Sequence, residues 1–243
     1  MTTLSSPLFP MLDLRLGELA LLAAGAAVSL AALARRRSST RPKLGVRVVC
    51  ISDTHGAHRS VAVPDGDVLI HAGDFTRYGR ESDASDFDAW LATLPHRHKV
   101  VVHGNHEANA PWAERTQRLV PHARFLRGAS AELAVGPDAR AVRVHGTAWF
   151  WPMKSANPEY EIAAKQPCDI LVCHSPCAGR VDGGAGCQEL LRLARRARPR
   201  LVVSGHIHGA HGVVRDGDVT YVNAANARKG HGDMGWPAIV VDI

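Results

Sequence analysis

The sequence predicts an α/β fold, and two observations carry that expectation. Five short β-branched apolar runs each stop at Asp, His or Asn, residue types that bind polar ligands. Several stretches between them place apolar residues at helical rather than alternating spacing. Composition agrees: 46% hydrophobic and 21% charged residues are ordinary for a folded chain, and 243 residues suffice for one sizeable core. Ligands in such sheets bind outside the carboxyl ends of the strands. Five polar strand ends therefore point to one site drawn from the whole chain.

Residues 1–44 stand apart as a leader. Sixteen uncharged residues, 19–34, run straight into Arg35-Arg36-Arg37, and half of those sixteen are alanine. A spanning helix needs about 20 predominantly apolar residues, and a signal peptide carries its positive charge before the apolar run, not after it. Three readings stay open over residues 12–37: a marginal membrane anchor, an interfacial amphipathic helix, or a loosely docked leader. If the segment inserts, its arginines stay cytoplasmic and keep the rest of the protein on that side. Residues 38–43 read as a linker. Residues 1–47 carry seven basic and two acidic residues of a chain whose net charge is +6. The remainder is almost neutral, so no nucleic-acid polymer is expected as a partner.

Residues 45–243 read as one domain. Strands are expected at 46–52, 68–73, 99–104, 169–173 and 201–205, with further strands at 141–145, 219–222 and 238–242. Helices are expected at 82–94, where Ala84, Phe87, Trp90, Leu91 and Leu94 share a face, at 111–120, and at 188–197. In the last helix Arg192, Arg195, Arg196 and Arg198 form a solvated face. The five cysteines (50, 168, 173, 177 and 187) lack the C-x2-C pairs of a zinc ribbon. They read as buried structural thiols in a reducing compartment, with a Cys-His zinc module as the rival.

The strand ends carry the chemistry. Asp53 and His55 are two apart, as are His206 and His208, so each pair can address one centre if the chain is extended. Asp74 and Asn105 each follow a glycine, which lets backbone approach a crowded site. With His174, seven carboxylate, imidazole and amide donors are available and no thiolate. That set suits Mn, Fe, Zn or Ni rather than a hard Mg or Ca cage. Seven exceed the needs of one four-coordinate ion but fit two divalent ions sharing an Asp. Two such ions against two carboxylates leave +2, a charge suited to a phosphate and a hydroxide. Paired metals can clamp the attacking and leaving oxygens of a phosphoester.

D-T-H, G-D, G-N-H-E, a lone His after a strand and G-H-I-H occur here in the order of the five signatures of calcineurin-like metallophosphoesterases. From about residue 46 to 243 the chain resembles that family, and most closely its small metallophosphoesterase-domain-containing members. The resemblance implies a four-layer α/β sandwich of two facing mixed sheets flanked by helices. It implies that Asp53, His55 and His208 hold one metal, that Asn105, His174 and His206 hold a second, and that Asp74 bridges them. It further implies His106 as the acid or electrostatic partner of the leaving oxygen and Glu107 as an anchor behind the ligands. If the strand continues, the side chain of His106 points away from that of Asn105, which makes it a substrate contact rather than a ligand. Ser175-Pro176-Cys177 departs from the family's usual Gly-Pro-Pro after the lone His, leaving the loop beneath the substrate undefined. The implied activity is metal-dependent hydrolysis of a small phosphoester, a cyclic nucleotide or similar diester. Phosphomonoester or phosphoprotein substrates, and a tethered scaffold with a vestigial site, are the alternatives.

The remaining histidines divide. His58, His96, His98, His122, His211 and His231 lie off the strand ends and read as structural. His71, His103 and His145 sit among motif residues, and their role stays open. Trp149-Phe150-Trp151-Pro152 reads either as a stacking surface at the mouth or as a packed loop. Arg77 reads either as a phosphate contact or as a solvent-facing residue.

Overall fold

The computed structural model describes residues 41, 43–150 and 157–243. Residues 1–40 and 42 of the leader, and with them the membrane reading over 12–37, lie outside those residues, as do Trp151 and Pro152. Among the described residues no helix is long and apolar enough to cross a membrane.

Eleven strands form two sheets. The first has the order β11-β1-β2-β3-β4, built from β1 (Arg47–Ile51), β2 (Val68–His71), β3 (His98–Val101), β4 (Arg124–Phe125) and β11 (Ile239–Asp242). It is parallel except for the antiparallel β1–β11 pair. The second has the order β5-β6-β7-β8-β10-β9. Its strands are β5 (Ala129–Val135), β6 (Arg140–Gly146), β7 (Ile170–Val172), β8 (Leu201–Ser204), β9 (Gly212–Asp216) and β10 (Val219–Asn223). Its interior pairs are parallel and its two edges antiparallel.

Alternation along the strands creates the four layers. Val48 and Cys50, with Val68, Ile70 and Val100, share one core with Val142, Val144, Ile170, Val172, Leu201 and Val203 of the other sheet. The alternate residues Val49, Ile51, Leu69 and Val101 pack outward against Phe87, Trp90 and Leu91 of α1 (Glu81–Thr93). On the far side Leu171, Val202 and Tyr221 pack against α5 (Gln188–Ala197) and against Tyr160 of α4 (Pro158–Ala163). Strands with a helix layer on one face and a sheet on the other are apolar on both faces. That is why the strand runs are continuous rather than alternating. Cys173, Cys177 and Cys187 pack in the outer core of the second sheet, and all five cysteines are free and buried.

Helices 82–94 and 188–197 form within one residue of expectation. The expected helix 111–120 does not form as one unit. A 3-10 turn at Ala113–Arg115 leads into the single turn α3 (Thr116–Leu119), where Thr116 turns its hydroxyl back to the Ala113 carbonyl, 2.7 Å away. The unexpected β5 shows period-2 burial through Ala131, Leu133 and Val135. Alanine stands on both faces, at inward Ala131 and outward Ala134, so the pattern is faint in sequence.

Two open histidine roles become packing roles here. The His71 Nδ1 accepts from the Gly73 N–H at 3.3 Å, so its Nε2–H donates to Thr54 at 2.9 Å. The His103 Nε2 meets the Thr116 hydroxyl at 2.7 Å. Burial pushes both imidazoles down to about 3, so each stays neutral in the fold and charges on unfolding in acid. A depressed histidine pKa contributes stability above the unfolded value of roughly 6.5, and that stability is lost as pH falls toward the folded value. Replacing His103 with Gln keeps a donor toward Thr116 and removes the titration. Urea unfolding at pH 7.5 and 5.5 should show His103→Gln losing about 1 kcal/mol less than the parent over that interval. Equal losses in the two proteins would contradict this account.

Candidate metal centre

The strand-end loops bring the seven expected residues to one place, but not by the extended geometry expected of the i, i+2 pairs. Asp53, His55, Asp74 and His206 all have positive φ, between 44° and 66°. Left-handed backbone in non-glycine residues costs on the order of 1–3 kcal/mol each and persists where surroundings over-determine it. Here the Asp53 N–H donates to the Gly73 carbonyl at 2.9 Å, and the His55 N–H to the Asp74 carbonyl at 3.0 Å. His206 and His208 consequently serve different groups rather than one centre.

Two donor groups have the size of metal sites. Asp53, His55 and His208 form one; Asp74, His174 and His206 form the other. Within each, one ligand atom per residue lies within 4.8 Å of the others. His55 Nε2 and His208 Nε2 are 3.2 Å apart, and His208 Nε2 is 3.3 Å from Asp53 Oδ1. In the second group His174 Nε2 lies 3.3 Å from Asp74 Oδ2 and 3.3 Å from Asn105 Oδ1. Donors bound at roughly 2.0–2.2 Å to one ion stand roughly 3.0–3.6 Å from each other, so the residues fit. The His174 Nδ1–H donates to the Ala72 carbonyl at 2.7 Å, which leaves the Nε2 lone pair facing the centre, the arrangement a ligating imidazole requires.

Electrostatics give the same answer. Asp53 and Asp74 are buried, and every ion pair they make is with an imidazole. Burial works to raise the Asp53 carboxyl, but His174, His208 and His55 overcome it and hold it below the ordinary carboxylate range. Burial would depress His174, yet Asp74 and Asp53 push it up to about 9. Burial lowers His55 and His206 to about 4, which favours their neutral, ligating form.

The strand does not continue through His106. The chain turns into the helical turn α2 (Asn105–Ala108) directly after Gly104. Successive helical residues point in different directions, so Asn105 faces His174 while His106 joins His55 at a ring distance of 4.8 Å. The His106 N–H donates to Asp74 Oδ1 at 2.9 Å, and its Nε2 stands 3.7 Å from Asp74 Oδ2. Glu107 is fully buried and clasps two loops. Its Oε2 accepts from the Asp74 and Gly104 N–H groups, and its Oε1 from the N–H and hydroxyl of Thr76. Burial and the nearby Asp74 push it up to about 7 despite those four donors.

Close approach accounts for the glycines. A Cβ at Gly104 would lie 2.1 Å from Asp74 Oδ1, and one at Gly205 would lie 2.1 Å from Asp53 Oδ2. Gly205 plays the part expected only of the glycines before Asp74 and Asn105.

His231 is the residue that sequence reasoning missed. Expected to be structural, it stands 4.4 Å from His55 and 4.9 Å from His106 by ring centroid. It comes from the loop joining β10 to β11, and its only sequence signal is the flanking pair Gly230 and Gly232. Trp149 stands at the opposite side, 5.0 Å from His174 and 4.9 Å from His206. Phe150 instead meets Tyr160. Arg77 is exposed, with its guanidinium 5.6 Å from the ring of Tyr78. His145 bonds to Ser130 at 2.9 Å, away from the centre.

Residues 46–210 match the family described as Calcineurin-like phosphoesterase. Metallophosphoesterase domain-containing protein 1 of Homo sapiens is 34% identical over 84% of this chain and 72% of its own length. A UPF0046 protein of Caenorhabditis elegans is 34% identical over 76% of this chain and 71% of its own. The solved 5′-nucleotidase of Candida albicans has the same fold at a TM-score of 0.51 and 13% identity, over 76% of this chain and 46% of that one.

The Glu107 clasp yields a test. In Glu107→Gln the amide is best tolerated beside Thr76, where it still faces the Thr76 N–H and leaves that donor unsatisfied. One buried unsatisfied group costs about 1–3 kcal/mol, and denaturant unfolding should register that loss. A change under about 0.5 kcal/mol, the size of an ordinary surface substitution, would show that the clasp does not hold the loops.

Proposed function

Because this chain belongs to the calcineurin-like phosphoesterase family and is a metal-dependent hydrolase of phosphoester bonds, we propose that its substrate is a small phosphodiester of the cyclic-nucleotide type. The observation that carries the reading is the charge of the centre. Asp53 and Asp74 are its carboxylates, His55, His174, His206 and His208 its imidazoles, and Asn105 a neutral amide. Two divalent ions on this set carry a net +2. One charge is met by a hydroxide nucleophile and the other by the single charge of a diester. A monoester at neutral pH brings nearly two charges, one more than the +2 left after a hydroxide requires.

Two divalent ions, when bound, would polarise the phosphoryl oxygens and bring the pKa of the attacking water to about 7. The chain's own residues prepare the rest. Asp53, His55 and His208 form one half of the cradle, and Asn105, His174 and His206 the other, with Asp74 between them. The backbone bond from His106 to Asp74 Oδ1 fixes the bridging carboxylate and, with it, the position of the His106 ring. That ring donates a hydrogen bond to the departing oxygen, where negative charge grows during the reaction. Trp149 offers a flat face beside His174 and His206 on which a base can stack. Mn, Fe and Zn all suit this set of nitrogen and oxygen donors.

The test is Mn²⁺-dependent hydrolysis of bis-p-nitrophenyl phosphate, followed by a panel of 2′,3′- and 3′,5′-cyclic nucleotides and p-nitrophenyl phosphate. Asn105→Ala should lower diester turnover by about 100-fold or more, the scale of losing one oriented polar group at a reacting centre. The parent should prefer diesters to the monoester. A monoester preference, or equal turnover by the Asn105→Ala protein, would contradict the reading.

A further inference from the structure

His55, His106 and His231 form a third group, with one nitrogen from each lying within 4.8 Å of the others. Neither set of expected ligands contains His231. The ring of His231 meets His106 edge to face at 88°, and Tyr78, 60% exposed, closes the outer side 5.5 Å away. No ring nitrogen of His231 has a hydrogen-bond partner among the described residues, and the Nδ1 of His106 is buried without one.

The loop that carries His231 is built rather than slack. The Arg228 N–H donates to the Asp233 carbonyl at 2.7 Å, and the two side chains pair at 3.2 Å. At its base Asn226 bonds the Trp236 carbonyl through Nδ2 and accepts from the Ser52 N–H through Oδ1. Ser52 directly precedes Asp53, so the position of the loop is tied to the centre itself.

We propose that His231 shares with His106 the contact to the leaving oxygen, so that the leaving-group side of the centre is a clamp of two imidazoles. This rests on the diesterase reading above. Each N–H reaches an oxygen at about 2.8–3.0 Å. Two donors separated by no more than 4.8 Å can therefore both bond a single oxygen between them. His231 is half-buried, beside His55 and the exposed Tyr78, so an oxygen can reach it from solvent. Donors aimed at developing charge help most where the departing group is a poor one. The clamp therefore suits an alkoxide leaving group, such as the ribose oxygen of a cyclic nucleotide, more than an activated phenolate.

The test uses the full chain loaded with Mn²⁺ and three variants: His231→Asn, His106→Asn and the pair. Two substrates are compared, 2′,3′-cyclic AMP and bis-p-nitrophenyl phosphate, with metal content measured on each protein. His231→Asn should keep the parent's metal content and lose about tenfold to 100-fold in kcat on the cyclic nucleotide, against about threefold on the nitrophenyl ester. A folding defect would lower both alike. Two donors on one oxygen are coupled, so the double variant should lose less than the product of the single losses. Equal losses on the two substrates, full multiplicative losses in the double variant, or a lost metal equivalent in His231→Asn would overturn the clamp. The last result would assign the three imidazoles to a third ion. Parent turnover of both diesters separates this outcome from failure of the underlying reading.

Discussion

Two buried carboxylates with only imidazoles for company govern the rest of this molecule. Asp53 and Asp74 are almost wholly excluded from solvent, and an isolated buried charge is among the most expensive things a fold can contain. Their partners are five histidines: His106, His174 and His208 pair with them directly, while His55 joins Asp53's donor group and His206 joins Asp74's. Burial drives His55 and His206 toward neutrality, while Asp74 and Asp53 raise His174. The arrangement is stable as a cation site and awkward as anything else. It also accounts for the strained backbone at four of the donors, since such conformations persist where the surrounding contacts over-determine them.

Those contacts reach across both sheets. Glu107 ties the loop after β2 to the loop after β3. The His174 bond to Ala72 joins β7's loop to β2's. The His206 N–H bonds both oxygens of Asp53, fastening the loop after β8 to that after β1. On the same seam the Ser52 N–H meets Asn226 just beyond β10. Gly73, Gly104 and Gly205 stand where these loops come too close for a side chain. The two facing sheets thus serve chemistry as well as packing: each contributes half of the donors, and neither half is complete alone.

Much of this was legible in the residues. Strands that are apolar on both faces leave unbroken β-branched runs, so their ends, and the seven donors at those ends, stand out. Helices α1 and α5 announced themselves through Phe87, Trp90 and Leu91 and through the leucines at 190, 191 and 193. What was not legible depends on contacts distant in the chain. The turn at Asn105 follows from Glu107 accepting from Gly104 and from the Asp74 loop, so the local run of β3 misleads. The left-handed turns at Asp53 and His55 depend on carbonyls of Gly73 and Asp74. His231 is placed by a loop whose anchor, Asn226, bonds a residue 174 positions away, and no periodicity reports such a contact. Strand β5 is faint because Ala131 gives little hydrophobic contrast.

The central claim is that the seven strand-end donors hold two ions with Asp74 between them. Anomalous diffraction at a metal edge, from crystals grown with Mn²⁺ or Zn²⁺, tests it most directly. The account predicts two peaks in each chain, about 3.5–4 Å apart, one beside Asp53, His55 and His208 and the other beside Asn105, His174 and His206. A single peak at this position, or peaks among Cys173, Cys177 and Cys187 instead, would contradict it.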